Sequence, residues 1–262
     1  MTSAAMHIAR TGLDAQDTRM RVISNNLANV NTTGFKRDRA AFETLAYQVV
    51  TSPGAASTSE TRYATGLNLG TGVRVQGTAR IDTQGSMQTT GNSLDLALDG
   101  DGYFQVQLPG GQLGYTRAGN FSRSPEGLLV TSEGYQLQPG ITVPEGATAI
   151  TIGTDGTVSA TVAGQTEPSE LGQIQVANFA NGAGLQPTGD NFLTETAASG
   201  AANLGVAGLE GRGRVRQGML ESSNVNVVEE LVDMIETQRA YEVNSKMISA
   251  TDDMLKYVNQ NL

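Results

Sequence analysis

A single histidine, His7, and no cysteine leave this chain with few side chains for acid–base, nucleophilic or metal chemistry. His7 falls in the first turns of a helical arm, so neither a Ser-His-Asp triad nor a multi-histidine metal site can be built around it. Asp99 and Asp101 in LDGDGYF have the look of a calcium loop, but an EF-hand needs further oxygen ligands and a closing Glu at fixed offsets. The pair reads instead as a Gly-Asp turn before a strand. Gly66–Gly72 (GLNLGTG) lacks the preceding apolar strand and following helix of a phosphate loop. Arg212, Arg214 and Arg216 read as a solvated or interface strand of alternating charge, with an anion as the other option. Asn31-Thr-Thr33 and Asn120-Phe-Ser122 fit the glycosylation pattern only by its short length. No catalytic, cofactor-binding or metal residue is expected.

The elements behind these residues divide by composition. All seven Pro and 29 of the 32 Gly fall within residues 46–216, leaving two arms that are nearly free of both. Residues 1–45 carry six Lys/Arg against four acids, and residues 217–262 three against eight, so the ends are complementary in sign. Apolar residues make up 38% and aromatics 5%, a thin core for 262 residues, and burial against neighbours is expected. A net charge of −9 argues against nucleic acid as a partner. Residues 1–10 hold no basic segment followed by an apolar run, and no stretch is long enough to span a bilayer.

The first arm is predicted to be helical from Ser3 to Asn31. Met6, Ala9, Leu13, Gln16, Met20, Ile23, Leu27 and Val30 follow steps of three and four, a narrow seam that favours a partner helix. The arm stops at Asn29–Gly34, where Gly34 best tolerates a left-handed conformation. Asn25, Asn26, Asn29 and Asn31 are poor helix formers, and serve either as polar caps or as amides bonding a neighbouring segment. Phe35–Tyr47 reads as a short helix or an extended lead-out. Residues 48–72 are small, polar and Gly/Ser/Thr-rich, the composition of a linker or long loop.

From Val73 the period changes to two, with short strands around Leu94–Leu98, Phe104–Leu108, Leu128–Val130, Ile141–Val143, Ile150–Ile152, Val158–Val162 and Ile174–Val176. That pattern predicts an antiparallel sandwich or barrel-like β-domain. The second arm opens at a capping box, Asn226 to Glu229, and carries a seam of Val227, Leu231, Met234, Gln238, Tyr241, Ser245, Ile248, Asp252, Leu255 and Leu262. The expected fold class is mixed α and β, segregated: long terminal helices forming a coiled-coil-like domain, and a central antiparallel all-β domain. The expected domains are 1–34 with 222–262, a connecting segment 35–72 with 203–221, and the β-domain 73–202. Two functions suit this plan, a self-assembling structural subunit or a soluble β-domain with a helical handle. Seams this narrow and polar need partners, which favours the subunit.

Four stretches carry a resemblance. SNNLANVNTTGFKR (Ser24–Arg37) resembles the N-terminal signature of the flagellar basal-body rod and hook family, and Glu221–Lys246 its C-terminal signature. Leu94–Val106 and Tyr115–Pro139 are similar to its central β-domain. The resemblance implies a structural subunit of the distal rod, with a proximal rod subunit as the alternative. It also implies a rigid helical homopolymer that carries torque from motor to hook around an export channel. The partners implied are the chain itself, proximal rod proteins, hook protein, the P and L ring proteins and the flagellar type III export apparatus. The implied place is the basal body, in the rod crossing the periplasm, reached without a cleaved signal peptide. No membrane insertion and no cofactor are implied. The residues expected to serve self-assembly are Leu13, Met20, Ile23, Leu27, Asn29, Val30, Gly34, Leu231, Met234, Tyr241, Ile248 and Leu255. The stretch after Tyr47-Gln48 resembles the family's rod-type insert, which hook proteins lack; here Val49, Val50, Tyr63, Leu67 and Leu69 are its apolar anchors, Pro53 stiffens its path, and the small residues from Gly54 to Ser59 permit close backbone approach.

Overall fold

In the computed structural model, residues 2–56, 61–162 and 168–260 are described. Leu262 of the expected seam and Ser57–Ser59 of the insert lie outside the described residues. The chain divides into two units, one of residues 1–27, 38–79 and 227–262, the other of residues 28–37 and 80–226.

The first unit holds two long helices, α1 (Thr2–Ala28) and α2 (Val227–Gln260). Glu229 and Glu230 occupy the first turn of α2, where carboxylates suit the positive end of the helix. The coiled-coil reading is overturned. Leu231 and Tyr241 of the expected α2 seam are each 42% exposed, whereas Glu230, Thr237 and Thr251 are buried. With Asn244 these recur every seventh residue, so the face of α2 turned inward has a heptad period but is polar. On α1, Ala9, Ala15, Ile23 and Asn26 are buried, while Leu13, Met20 and Leu27 are half-buried. Arg19 Nη2 bonds Asp233 Oδ1 at 3.1 Å, and Asn26 Nδ2 bonds Glu230 Oε2 at 3.2 Å. Gly12 leaves room for Asn244, whose Nδ2 would stand 3.1 Å from an added Cβ. The physical reason for the miss is that counting apolar residues finds a repeating face without saying which face hydrogen bonding will claim. Thr237 Oγ1 and Thr251 Oγ1 donate to the carbonyls of Asp233 and Met247 on their own helix (2.6 and 2.7 Å), which lets hydroxyls be buried without orphaned donors.

Beyond α1 the lead-out is extended: Asp38–Thr44 pairs with Val73–Arg80. The stretch read as a linker or long loop forms an antiparallel hairpin instead. Gln48–Thr51 pairs with Leu67–Leu69, and Ala56 bridges Arg62 nearer the tip. The bonds Gly54 N to Tyr63 O and Tyr63 N to Ala55 O, both 2.9 Å, extend it. Val49, Val50 and Thr51 are β-branched and prefer a pleated strand, and Ser52-Pro53-Gly54 supplies a turn, which outweighs the loop-like composition of the rest.

The second unit is the antiparallel β-domain that the period-two runs predict. Its central strand, Tyr103–Gln107, pairs with Leu113–Thr116, Gln136–Leu137 and Gln175–Asn178. A three-stranded sheet, Ala147–Ile152, Thr157–Val162 and Ser169–Gln173, lies in the same unit. Leu96, Leu98, Phe104, Val106, Leu129, Leu137, Val158, Ile174, Val176 and Val215 are buried together, and Phe104 meets Phe121 edge-on at 5.3 Å. Ile141 and Val143 join this core around an isolated bridge, Leu128 to Thr142, and not from a continuous strand.

Candidate functional site, a buried polar junction

The residues that follow α1 and those that precede α2 meet inside the β-unit. Gly34 takes φ +69°, and its N–H donates to the Glu221 carbonyl at 2.8 Å. A Cβ at Gly34 would lie 2.5 Å from the Arg117 carbonyl carbon, so the position requires glycine for space as well as for conformation. Asn224 then ties three strands of chain. Its Oδ1 accepts Arg37 N–H at 2.7 Å, and its Nδ2 donates to the carbonyls of Ile81 (2.8 Å) and Thr83 (3.0 Å). Ile81 N–H in turn donates to the Arg37 carbonyl at 2.9 Å.

Below this lies a charge cluster sealed from solvent. The Glu221 side chain is 0% exposed; Lys36 Nζ reaches one of its oxygens at 2.5 Å and Arg117 Nη1 the other at 3.2 Å. Gly85 N–H adds a third bond to the carboxylate at 2.9 Å, and Lys36 Nζ also donates to the Thr83 carbonyl at 2.8 Å. Arg117 Nη2 donates to the Gly100 carbonyl at 2.8 Å, and its guanidinium sits 5.5 Å from the Tyr103 ring centre. Its Nε is buried without a hydrogen-bond partner among the described residues. Burial pulls the Lys36 ammonium below its ordinary value, and the bond to Glu221 opposes that pull. A buried charge persists only when paired and hydrogen-bonded in this way.

Tyr103 closes the cluster, its hydroxyl donating to Asp82 Oδ1 at 3.2 Å. Burial raises its phenol far above the ordinary range, with the Asp82 charge adding to the effect; burial raises Tyr115 as well. Both shifts favour the neutral phenol in the fold, so their contribution to stability is complete below the unfolded value of about 10, starts to fall there, and is lost as pH rises on through the raised folded values. In a spectrophotometric titration, Tyr103 and Tyr115 should ionise above the ordinary phenol value. The urea midpoint should fall between pH 9 and pH 11, and less steeply in Tyr103→Phe.

Of the residues expected to serve assembly, Gly34 is buried in this junction, and Asn29 lies beside it, its Oδ1 accepting from Thr32 Oγ1 at 3.1 Å. Val30 is half-buried. Leu13, Met20, Ile23 and Leu27 lie on α1; Leu231, Met234, Tyr241, Ile248 and Leu255 lie on α2, of which Leu231 and Tyr241 are exposed and the other three half-buried. The structure does not gather them into one place. In the hairpin, Pro53, Gly54, Tyr63, Leu67 and Leu69 are all exposed, with Tyr47, Val49 and Val50. Between the two readings of the asparagines, Asn26 settles for the neighbouring segment: its amide bonds both the N–H and the carbonyl of Asp38 (3.0 and 2.9 Å). Of the three arginines, Arg214 and Arg216 are exposed on the strand Arg214–Gln217, where Arg216 pairs with Asp99, while Arg212, ahead of the strand, is buried on Glu210 Oε2 and Asn203 Oδ1. Lys36, Arg117, Glu221 and Asn224 escaped the sequence reading. Their one signal was that all four sit inside the stretches quoted for the resemblance, Lys36, Glu221 and Asn224 in the two terminal signatures and Arg117 in Tyr115–Pro139.

Another face shows on α2. Val228, Val232, Ile235, Val243, Met247, Met254 and Tyr257 are exposed and, at 3.6 residues per turn, fall along one side of the helix. Val228 is 70% exposed. Among the described residues, no helix is long and apolar enough to cross a membrane, and no three acidic, His or Cys side chains gather to hold a metal.

Comparison with known proteins bears on both ends and the middle. Residues 6–36 match the model for flagella basal body rod proteins, 97–160 that for the flagellar hook protein FlgE/F/G D1 domain, and 216–261 that for the flagellar basal body rod FlgEFG protein C-terminal region. Flagellar basal-body rod protein FlgG of Buchnera aphidicola from Acyrthosiphon pisum is 51% identical over 98% of both chains. The chain belongs to the flagellar basal-body rod protein family. FlgG of Caulobacter vibrioides is 48% identical over 98% of both chains, against 35% over 96% of both for FlgF of the same bacterium. Within the family, this rod protein is thus of the FlgG, distal rod kind. The matched ends coincide with the junction, since Gly34 and Lys36 close the first matched region and Glu221 and Asn224 open the last. A basal-body rod protein is a structural component of the flagellum and assembles into the rod with other flagellar components.

Proposed function

We propose that this rod protein polymerises with copies of itself into a rigid helical tube, the distal rod, which carries torque from motor to hook and encloses an export channel. The observation that carries the reading is the exposed apolar side of α2, which a soluble monomer has no reason to keep uncovered over such a length. Leu13, Met20, Leu27, Met234, Ile248 and Leu255 support that surface from half-buried positions on the two helices, with Ile23 buried on α1 and Val30 half-buried just beyond it. The expected neighbours are proximal rod proteins, hook protein and the P and L ring proteins, along a rod that crosses the periplasm, with delivery by the flagellar type III export apparatus. In this reading the terminal domain comprises 1–34 and 222–262, the connecting segment 35–72 and 203–221, and the β-domain 73–202. No catalytic role is part of it.

The hairpin of residues 48–69 suits a stiffening role, because it is paired in the single chain and yet leaves Tyr47, Val49, Val50, Tyr63, Leu67 and Leu69 uncovered. Concentrated protein should form straight rods by electron microscopy. Deleting residues 50–66 should leave assembly intact and give curved rods. Protein that stays monomeric at every concentration would refute the polymer, and straight rods from the deletion variant would refute the role of the hairpin.

A further inference from the structure

Glu221 holds distant parts of the sequence with its main chain and its side chain at once. Its carbonyl accepts from Gly34, and its carboxylate accepts from Lys36, Gly85 and Arg117, with no solvent able to take its place. Without it, Lys36 and Arg117 would be two buried cations facing each other, which is unfavourable in a dry site. The apolar core, by contrast, is drawn entirely from residues 94–215 and is complete before residue 221 is reached. Core formation and closure of the junction are therefore separable. We propose that Glu221 is a closing latch: residues 33–37 and 81–85 take their places only when residues 221–224 have been inserted between them. The lead-out from α1 stays open in any chain whose C-terminal segment has yet to arrive. A chain truncated before residue 221 would keep a formed β-core and an unseated N-terminal signature. This inference does not depend on the polymer reading.

Native-state hydrogen exchange on the full chain tests it. In the unchanged protein, the amides of Gly34, Arg37, Gly85 and Ser222, which come from three separate segments, should open together and more readily than those of Tyr103–Gln107. In Glu221→Gln, which keeps the size of the side chain and removes its charge, these four should exchange at least tenfold faster. Trypsin should then cut after Lys36 or Arg37, while the Tyr103–Gln107 amides keep their rates. Unchanged protection at Gly34 and Gly85 in Glu221→Gln, or acceleration of the core amides by the same factor, would overturn the latch. Should that variant fail to fold, the unchanged protein still decides: exchange of the four amides only with global unfolding would sink the proposal.

Discussion

Replacing Gly34 by alanine is expected to lower the stability of the β-unit by about 2–5 kcal/mol, the sum of two separate costs. Holding a residue with a Cβ in the left-handed region costs about 1–2 kcal/mol. The new methyl would also lie 2.5–2.7 Å from main-chain atoms of Arg117 and Ala118, and forced overlap of this kind adds about 1–3 kcal/mol. Main chain cannot swing aside as the end of a flexible side chain can, so the overlap is relieved only by unseating the turn. Gly91→Ala is the matched control: its φ of +76° is similar, and nothing stands within 4 Å of its Cβ. Urea denaturation followed by tyrosine fluorescence should place Gly91→Ala near the first cost alone. Equal losses in the two variants would mean that the Arg117 main chain yields and that the close approach at Gly34 is unimportant.

Leu231→Asp is expected to abolish rod formation while leaving the isolated protein as stable as before. The side chain is 42% exposed, so in a single chain the carboxylate stays in water, and such surface changes usually stay within about 0.5 kcal/mol. In a polymer that covers this side of α2, the same carboxylate would be buried without a partner, at a cost of several kcal/mol for each subunit. Ile23→Asp behaves differently, because Ile23 is only 4% exposed within its own chain. It should loosen the helical unit of the monomer itself, seen as lost helical circular dichroism, before assembly is even attempted. Rods from Leu231→Asp of normal length would show that this part of α2 is not an assembly surface.

How far these features can be read from sequence depends on whether a residue's role is local. Gly34 is legible because a glycine just beyond a helical pattern has a conformational meaning of its own. The core strands are equally legible, since Leu96, Leu98, Phe104 and Val106 alternate or cluster within a few residues. The junction was not. Lys36, Arg117 and Glu221 come from three distant parts of the chain, and each alone is an ordinary surface residue. The hairpin was obscured because Val49-Val50 and Leu67/Leu69 are diluted by Gly, Ser and Thr, even though the alternation was there. The helices were found, and Ala9 and Ile23 of the α1 seam are buried, but the inward face of α2 was assigned to the apolar heptad when Glu230, Thr237 and Thr251 occupy it. Pattern counts weigh hydrophobicity, and here the deciding groups were a carboxylate with an amide partner and two hydroxyls already bonded to their own helix.

Those hydroxyls have a mechanical consequence. Thr237 and Thr251 make no directional demand across to α1, because their bonds are spent within α2. The cross-links from Asn26 to Glu230 and from Arg19 to Asp233 both lie toward the start of α2 and the last turns of α1. Farther along, Asn244 stands over Gly12, where even an added methyl would crowd the amide. The two helices are thus pinned by bonds toward one end and keyed by shape beyond it, a tongue in a groove, and a larger residue at position 12 would wedge them apart.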